Sequence, residues 1–155
     1  MIVLDTHTWV WLCLEPRRLS SAAAAAIRRA ANNGGLAIAS ISLWEVAMML
    51  ALGRVIPHGT PEAWLGALVD RSGVTVKEIT PSIAALATHF PESFPADPAD
   101  RLIAATARAE WVPLVSRDAR IRASAVVETI WWRRDSGGRA RRASRLPSDP
   151  SPTVR

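Results

Sequence analysis

The sequence has one cysteine and no tyrosine, and it has no apolar stretch near the roughly 20 residues that a bilayer-spanning helix needs. A lone Cys13 cannot form an internal disulfide, which points to a reducing compartment. The start, Met1-Ile-Val-Leu-Asp5, carries no basic residues and meets an acid at once, unlike a secretory signal peptide. A cytoplasmic, non-membrane protein is expected. His7, His58 and His89 lack the spacing of a histidine metal site. No internal repeat is present. At 155 residues, with 49% hydrophobic and 21% charged residues, the chain fits one globular domain with a sizeable core.

The first 132 residues also lack any charge excess. The last 23, RRDSGGRARRASRLPSDPSPTVR, hold seven arginines against Asp135 and Asp149, so the whole net charge of +5 resides there. With almost nothing to bury, residues 133–155 are expected to be disordered. Two readings of this tail stand side by side: a contact with RNA or another polyanion, and an extension without function.

Short apolar runs at residues 1–4, 36–40, 74–79, 112–116 and 126–131 read as buried strands. Between them lie helix signals at 8–14, 20–32, 42–52, 60–71, 80–89, 97–110 and 118–123. Ser20 and the Thr60-Pro61, Thr80-Pro81 and Asp97-Pro98 pairs serve as start signals, with Asn33-Gly34-Gly35 and Gly53 as stops. Ser42-Leu-Trp-Glu45 has the spacing of a capping box. Strands alternating with helices predict an α/β fold, a three-layer α/β/α sandwich around a central parallel sheet, over residues 1–132.

Acids fall where such a fold gathers its chemistry, at the carboxyl ends of the strands. Asp5 ends the first strand, Glu45 follows the second, Asp118 follows the strand at 112–116, and Asp100 opens the preceding helix. Clustered carboxylates repel one another, so they require cations or raised pKa values. Mg²⁺ or Mn²⁺ suits oxygen ligands, and such an ion assists phosphodiester hydrolysis. Each acid also has a structural reading. Glu45 would complete the capping box, Asp97 and Asp118 would cap helices, and Asp100 would favour the helix dipole. Asp5 is the hardest to explain in this way, because an ionised group ending a buried strand needs a partner.

The segments IVLDTHTWVW, ISLWEVAMML, DPADRLIAATA and LVSRDARI carry these acids, and they resemble the PIN-domain family. The likeness runs collinearly over about residues 1–131 and is nearest to VapC-type toxins of bacterial toxin–antitoxin systems. The resemblance implies a Mg²⁺- or Mn²⁺-dependent endoribonuclease that leaves a 5′-phosphate and a 3′-hydroxyl, is silenced by a cognate antitoxin, and forms a homodimer. By position, Asp5, Glu45, Asp100 and Asp118 match the family's acidic quartet. Asp5 and Asp100 are the leading metal ligands, and Asp118 is a direct or water-mediated one. Glu45 would bind metal or orient the attacking water, and Asp97 would cap its helix rather than ligate metal. Thr6 and Ser116 offer hydroxyls that orient the carboxylates. Arg101 and Arg117 sit beside site acids, for phosphate binding or for a structural role. Trp9, Trp11 and Trp44 would stack on RNA, join an interface or pack in the core. Residues 48–50 are an expected interface segment.

Two other functions fit the sequence less well. A catalytically silent RNA-binding or regulatory module gains nothing from clustered negative charge without metal. A phosphatase using Asp5 in a D-x-D motif lacks its second acid, since position 7 is histidine.

Overall fold

The computed structural model describes residues 1–131, so the basic tail and its expected disorder lie outside the described residues. Strands β1 (Ile2–Leu4), β2 (Leu36–Ala39), β3 (Val74–Lys77), β4 (Leu114–Val115) and β5 (Thr129–Ile130) form one sheet in the order β3-β2-β1-β4-β5. Every pairing is parallel, as the uninterrupted apolar runs require.

Alternation along the central strands divides the core. Ile2, Leu4, Leu36 and Ile38 pack on one face with Trp9, Val46 and Leu68. Val3, Ala37 and Ala39 pack on the other with Phe94, Ile103 and Ile121. The period of two sends neighbouring side chains to opposite faces, and helices cover both. The α/β/α expectation is met.

The helices are α1 (Thr6–Leu14), α2 (Ser21–Asn33), α3 (Ile41–Ala51), α4 (Pro61–Ser72), α5 (Pro81–Thr88), α6 (Pro98–Ala109) and α7 (Ala119–Ala123). Thr60, Thr80 and Asp97 cap α4, α5 and α6 as their sequences predict, each followed by proline at the first helical position. Several boundaries differ from expectation: β3 ends at Lys77 and not at residue 79, β5 is only Thr129–Ile130 within the expected 126–131, and three others have a visible cause. Helix α1 starts two residues early, because Asp5 accepts the Thr8 N–H at 2.6 Å and draws Thr6 and His7 into the first turn. The capping box at Ser42 does not form. Ser40 precedes the helix, its N–H held by the Lys77 carbonyl at 2.8 Å, which places Ser42 and Glu45 inside α3. Strand β4 is two residues long, because the Val112 N–H closes the end of α6 on the Ala107 carbonyl at 3.1 Å.

Strand β1 lies mid-sheet, and the chain moves to one side of it for β2 and to the other for β4. The Asp5 N–H donates to the Val115 carbonyl at 3.1 Å, which ties the carboxyl ends of β1 and β4 together. That crossover point is where an open parallel sheet leaves a crevice.

Candidate active site

The crevice is a cavity of about 560 Å³ lined by Asp5, Glu45, Asp97, Asp100 and Asp118, together with Thr6, His7, Trp11, Arg18, Ile103 and Arg117. Residues spread over more than 110 positions of sequence thus share one wall. All four acids of the expected quartet are among them.

Backbone geometry accounts for much of the placement. Asp5, Asp97 and Asp118 are the N-caps of α1, α6 and α7. Each caps through Oδ1 alone: Asp97 accepts from Ala99 and Asp100 N–H at 2.9 and 3.1 Å, and Asp118 from Arg120 and Ile121 N–H at 2.7 and 3.1 Å. The second oxygen of each carboxylate is left for the cavity. Capping and ligation, alternatives when read from sequence, are compatible in one side chain.

Glu45 is held differently. The buried Thr6 hydroxyl donates to its Oε2, and Thr6 Oγ1 is also bonded to buried Ser42 Oγ at 2.8 Å. This three-residue chain joins α1 to α3 and fixes the Glu45 rotamer. Ser116, fully buried, accepts the Asp118 N–H at 3.1 Å through Oγ and braces the turn after β4. Thr6 and Ser116 therefore support the acids from below.

Arg101 is placed elsewhere. Its guanidinium donates to the carbonyls of Pro95, Ala87, Phe90 and Pro91 at 3.0 to 3.3 Å, bracing the proline-rich loop before α6. It does not line the crevice. Arg117 does, in company with Arg18, a residue that sequence reasoning passed over. The 3₁₀ turn at Pro16–Arg18 folds Arg18 back over the Trp11 ring, 4.4 Å from its centroid. No local pattern announces that contact.

Electrostatics follow from this crowding. Burial pushes the Asp100 carboxyl up to about 6, and Asp97, Asp118, Glu45 and Asp5 add to the shift. Glu45 is raised as well, chiefly by burial, while its bond from Thr6 pulls the other way. Among the described residues the ion pairs are Arg18–Glu15 and Lys77–Glu110, and neither reaches the site acids. Uncompensated carboxylates with free oxygens form a donor set for a hard divalent cation. No three acidic, histidine or cysteine side chains among the described residues are already gathered around one point.

Comparison with known proteins agrees with this geometry. The PIN domain model matches residues 2–127. Ribonuclease VapC22 of Mycobacterium tuberculosis is 43% identical over 121 residues, covering 78% of this chain and 89% of that protein. Among solved structures, VapBC2 from Rickettsia felis bound to a promoter DNA fragment aligns with a TM-score of 0.63 at 18% identity, over 83% of this chain and 97% of that one. DNA-bound VapBC from Salmonella typhimurium aligns at 0.61 and 18%, over 83% and 95%. A toxin–antitoxin complex from Klebsiella pneumoniae aligns at 0.58 and 21%, over 81% and 92%. The structures share the fold, and the family model spans nearly all of the described domain. The chain belongs to the PIN-domain family.

Proposed function

We propose that this protein is a VapC-type ribonuclease, the toxin of a toxin–antitoxin pair, which hydrolyses RNA phosphodiester bonds at its acidic crevice. The observation that carries the reading is the convergence of Asp5, Glu45, Asp100 and Asp118 on one cavity, none of them in an ion pair among the described residues. The 43% identity to a ribonuclease supports the same activity.

Asp5 and Asp100 would hold Mg²⁺ or Mn²⁺, with Asp118 binding directly or through water. Such an ion, when bound, lowers the pKa of water and neutralises charge developing on the phosphodiester. The chain supplies the rest. Oδ1 of Asp5 and Asp118 stays on the backbone, so each carboxylate presents its second oxygen at a fixed angle. Glu45, aimed by Thr6, orients the attacking water and accepts its proton. Burial raises the Glu45 carboxyl, which makes it a better proton acceptor than an exposed carboxylate. Ile103 forms an apolar part of the wall and limits solvent there.

An antitoxin is the proposed partner, since the structural neighbours include toxin–antitoxin complexes. Its surface is a stripe on α3, where Trp44, Met48 and Leu52 are 58%, 40% and 59% exposed at successive four-residue steps. Of the segment 48–50 expected at an interface, only Met48 faces solvent; Leu50 is buried and Met49 packs against the core. A homodimer completes the proposed assembly.

The test is cleavage of bulk tRNA and ribosomal RNA by purified protein freed of antitoxin. Discrete products in Mg²⁺ or Mn²⁺, abolished by EDTA and by Asp5→Asn, are expected. Folded protein that neither binds metal nor cuts RNA would mean that the acids are structural.

A further inference from the structure

Beside the acidic cavity lies a second one of about 440 Å³ with the opposite character. Arg17, Arg18 and Arg117 line it with Trp131, and no acid does. The two cavities share Arg18 and Arg117 in their walls, so the basic one adjoins the acidic one.

Arg18 and Arg117 are held, not merely exposed. Trp11 is 6% exposed and packs against Trp131 with centroids 5.9 Å apart. The Arg18 guanidinium lies 4.4 Å from the Trp11 ring centroid and that of Arg117 lies 5.6 Å from it. An arginine stacked on an indole keeps its N–H edge available and loses less entropy when it meets a phosphate. Among the described residues Arg18 has one carboxylate partner, exposed Glu15 at 3.3 Å, and Arg17 and Arg117 have none. A site whose catalytic end repels polyanions needs attraction elsewhere to hold one.

We propose that Arg17, Arg18 and Arg117, set around the Trp11–Trp131 pair, form a phosphate-binding shelf that holds the RNA backbone beside the acidic crevice and directs the strand into it. This rests on the ribonuclease reading and names how its substrate is held. The stacked arginines grip phosphates flanking the cleaved bond, and the acids act on the bond itself.

The test uses the full chain carrying Asp5→Asn, in EDTA, with a fluorescein-labelled single-stranded oligoribonucleotide read by anisotropy across a KCl series. Adding Arg17→Gln, Arg18→Gln and Arg117→Gln should weaken binding about tenfold or more. It should also reduce the slope of log K against log salt by about 2, the value for three lost phosphate contacts on a single strand. Arg28→Gln with Arg71→Gln, which line a separate cavity beside Cys13, should change neither. In the nuclease-competent chain the three shelf substitutions should raise KM and leave kcat within about twofold. Thermal melting of each variant reports that the fold is kept. Affinity and salt slope unchanged by the triple substitution would overturn the shelf, as would an equal loss from the control pair. RNA that binds through these arginines but is not cut by the unsubstituted chain in Mg²⁺ or Mn²⁺ would support the shelf and overturn only the nuclease reading.

Discussion

Asp100 bears the clearest electrostatic cost in the molecule, and the cost has a direction. Its carboxyl titrates near 3.8 in an unfolded chain and is raised to about 6 in the fold. Well below pH 3.8 both states hold the proton and the group is neutral to stability. As pH climbs from 4 to 6 the unfolded chain releases its proton first, so metal-free stability falls through that window. Asp100→Asn removes the penalty. With the site half open to solvent, a gain of about 1 kcal/mol is reasonable, or about 2–4 °C in Tm at pH 7.5 in EDTA, and much smaller at pH 4. Melting curves at the two pH values check it, and an equal gain at both would show that charge is not the cause. The same variant should be inactive. Asp5→Asn makes a cleaner probe of activity, because asparagine caps helices as well as aspartate does. It should keep the fold and lose cleavage by about 100-fold or more, since a ligand's charge is removed while its place is kept.

At the scale of elements, the acids work because helix starts deliver them. Asp5, Asp97 and Asp118 are N-caps at the carboxyl edge of the sheet; capping by Asp97 and Asp118 was legible, whereas Asp5 read only as a strand end because the helix signal begins at residue 8. The Glu45 arrangement was not legible. S-x-x-E spacing reads locally as a capping box, and a contact across 39 residues from Thr6 overrides it. Thr6→Val tests the arrangement. It keeps the volume, removes the hydroxyl and strands buried Ser42, for a cost of about 1–3 kcal/mol by urea or thermal unfolding. It also removes the bond that holds the Glu45 pKa down, so the pH–activity profile should move to higher pH. An unshifted profile would mean that Glu45 takes no part in proton transfer. The α3 stripe makes a separate prediction. Trp44→Ser with Met48→Ser changes little stability, within about 1 kcal/mol, because both side chains are already solvated. If they anchor the antitoxin, its affinity should fall at least about tenfold by calorimetry.

Across the whole molecule, the core and the site obey different rules of legibility. Buried runs such as Leu36–Ala39 declare strands because a doubly covered parallel sheet wants apolar residues at every position. Arg18 declares nothing, because its role depends on a turn folding onto Trp11, and its neighbour Arg117 arrives from about a hundred residues away. The acids are intermediate: each is ambiguous alone, and only their shared position at one sheet edge gives them meaning. That arrangement leaves the folded chain with concentrated negative charge that the unfolded chain disperses. A divalent ion that binds the fold and not the unfolded chain should therefore stabilise the whole domain by RT ln(1 + [L]/Kd), about 2.7 kcal/mol at a hundred times Kd. Wild-type protein should melt at least about 5 °C higher in saturating Mg²⁺ or Mn²⁺ than in EDTA at pH 7.5. Matched ionic strength in NaCl should not reproduce the shift. Asp5→Asn and Asp100→Asn should each lose most of it, whereas the three arginine substitutions should leave it intact, because the shelf holds substrate and not metal. A metal-induced shift that survives Asp5→Asn with Asp100→Asn together would place the ion elsewhere and remove the acidic crevice as its site.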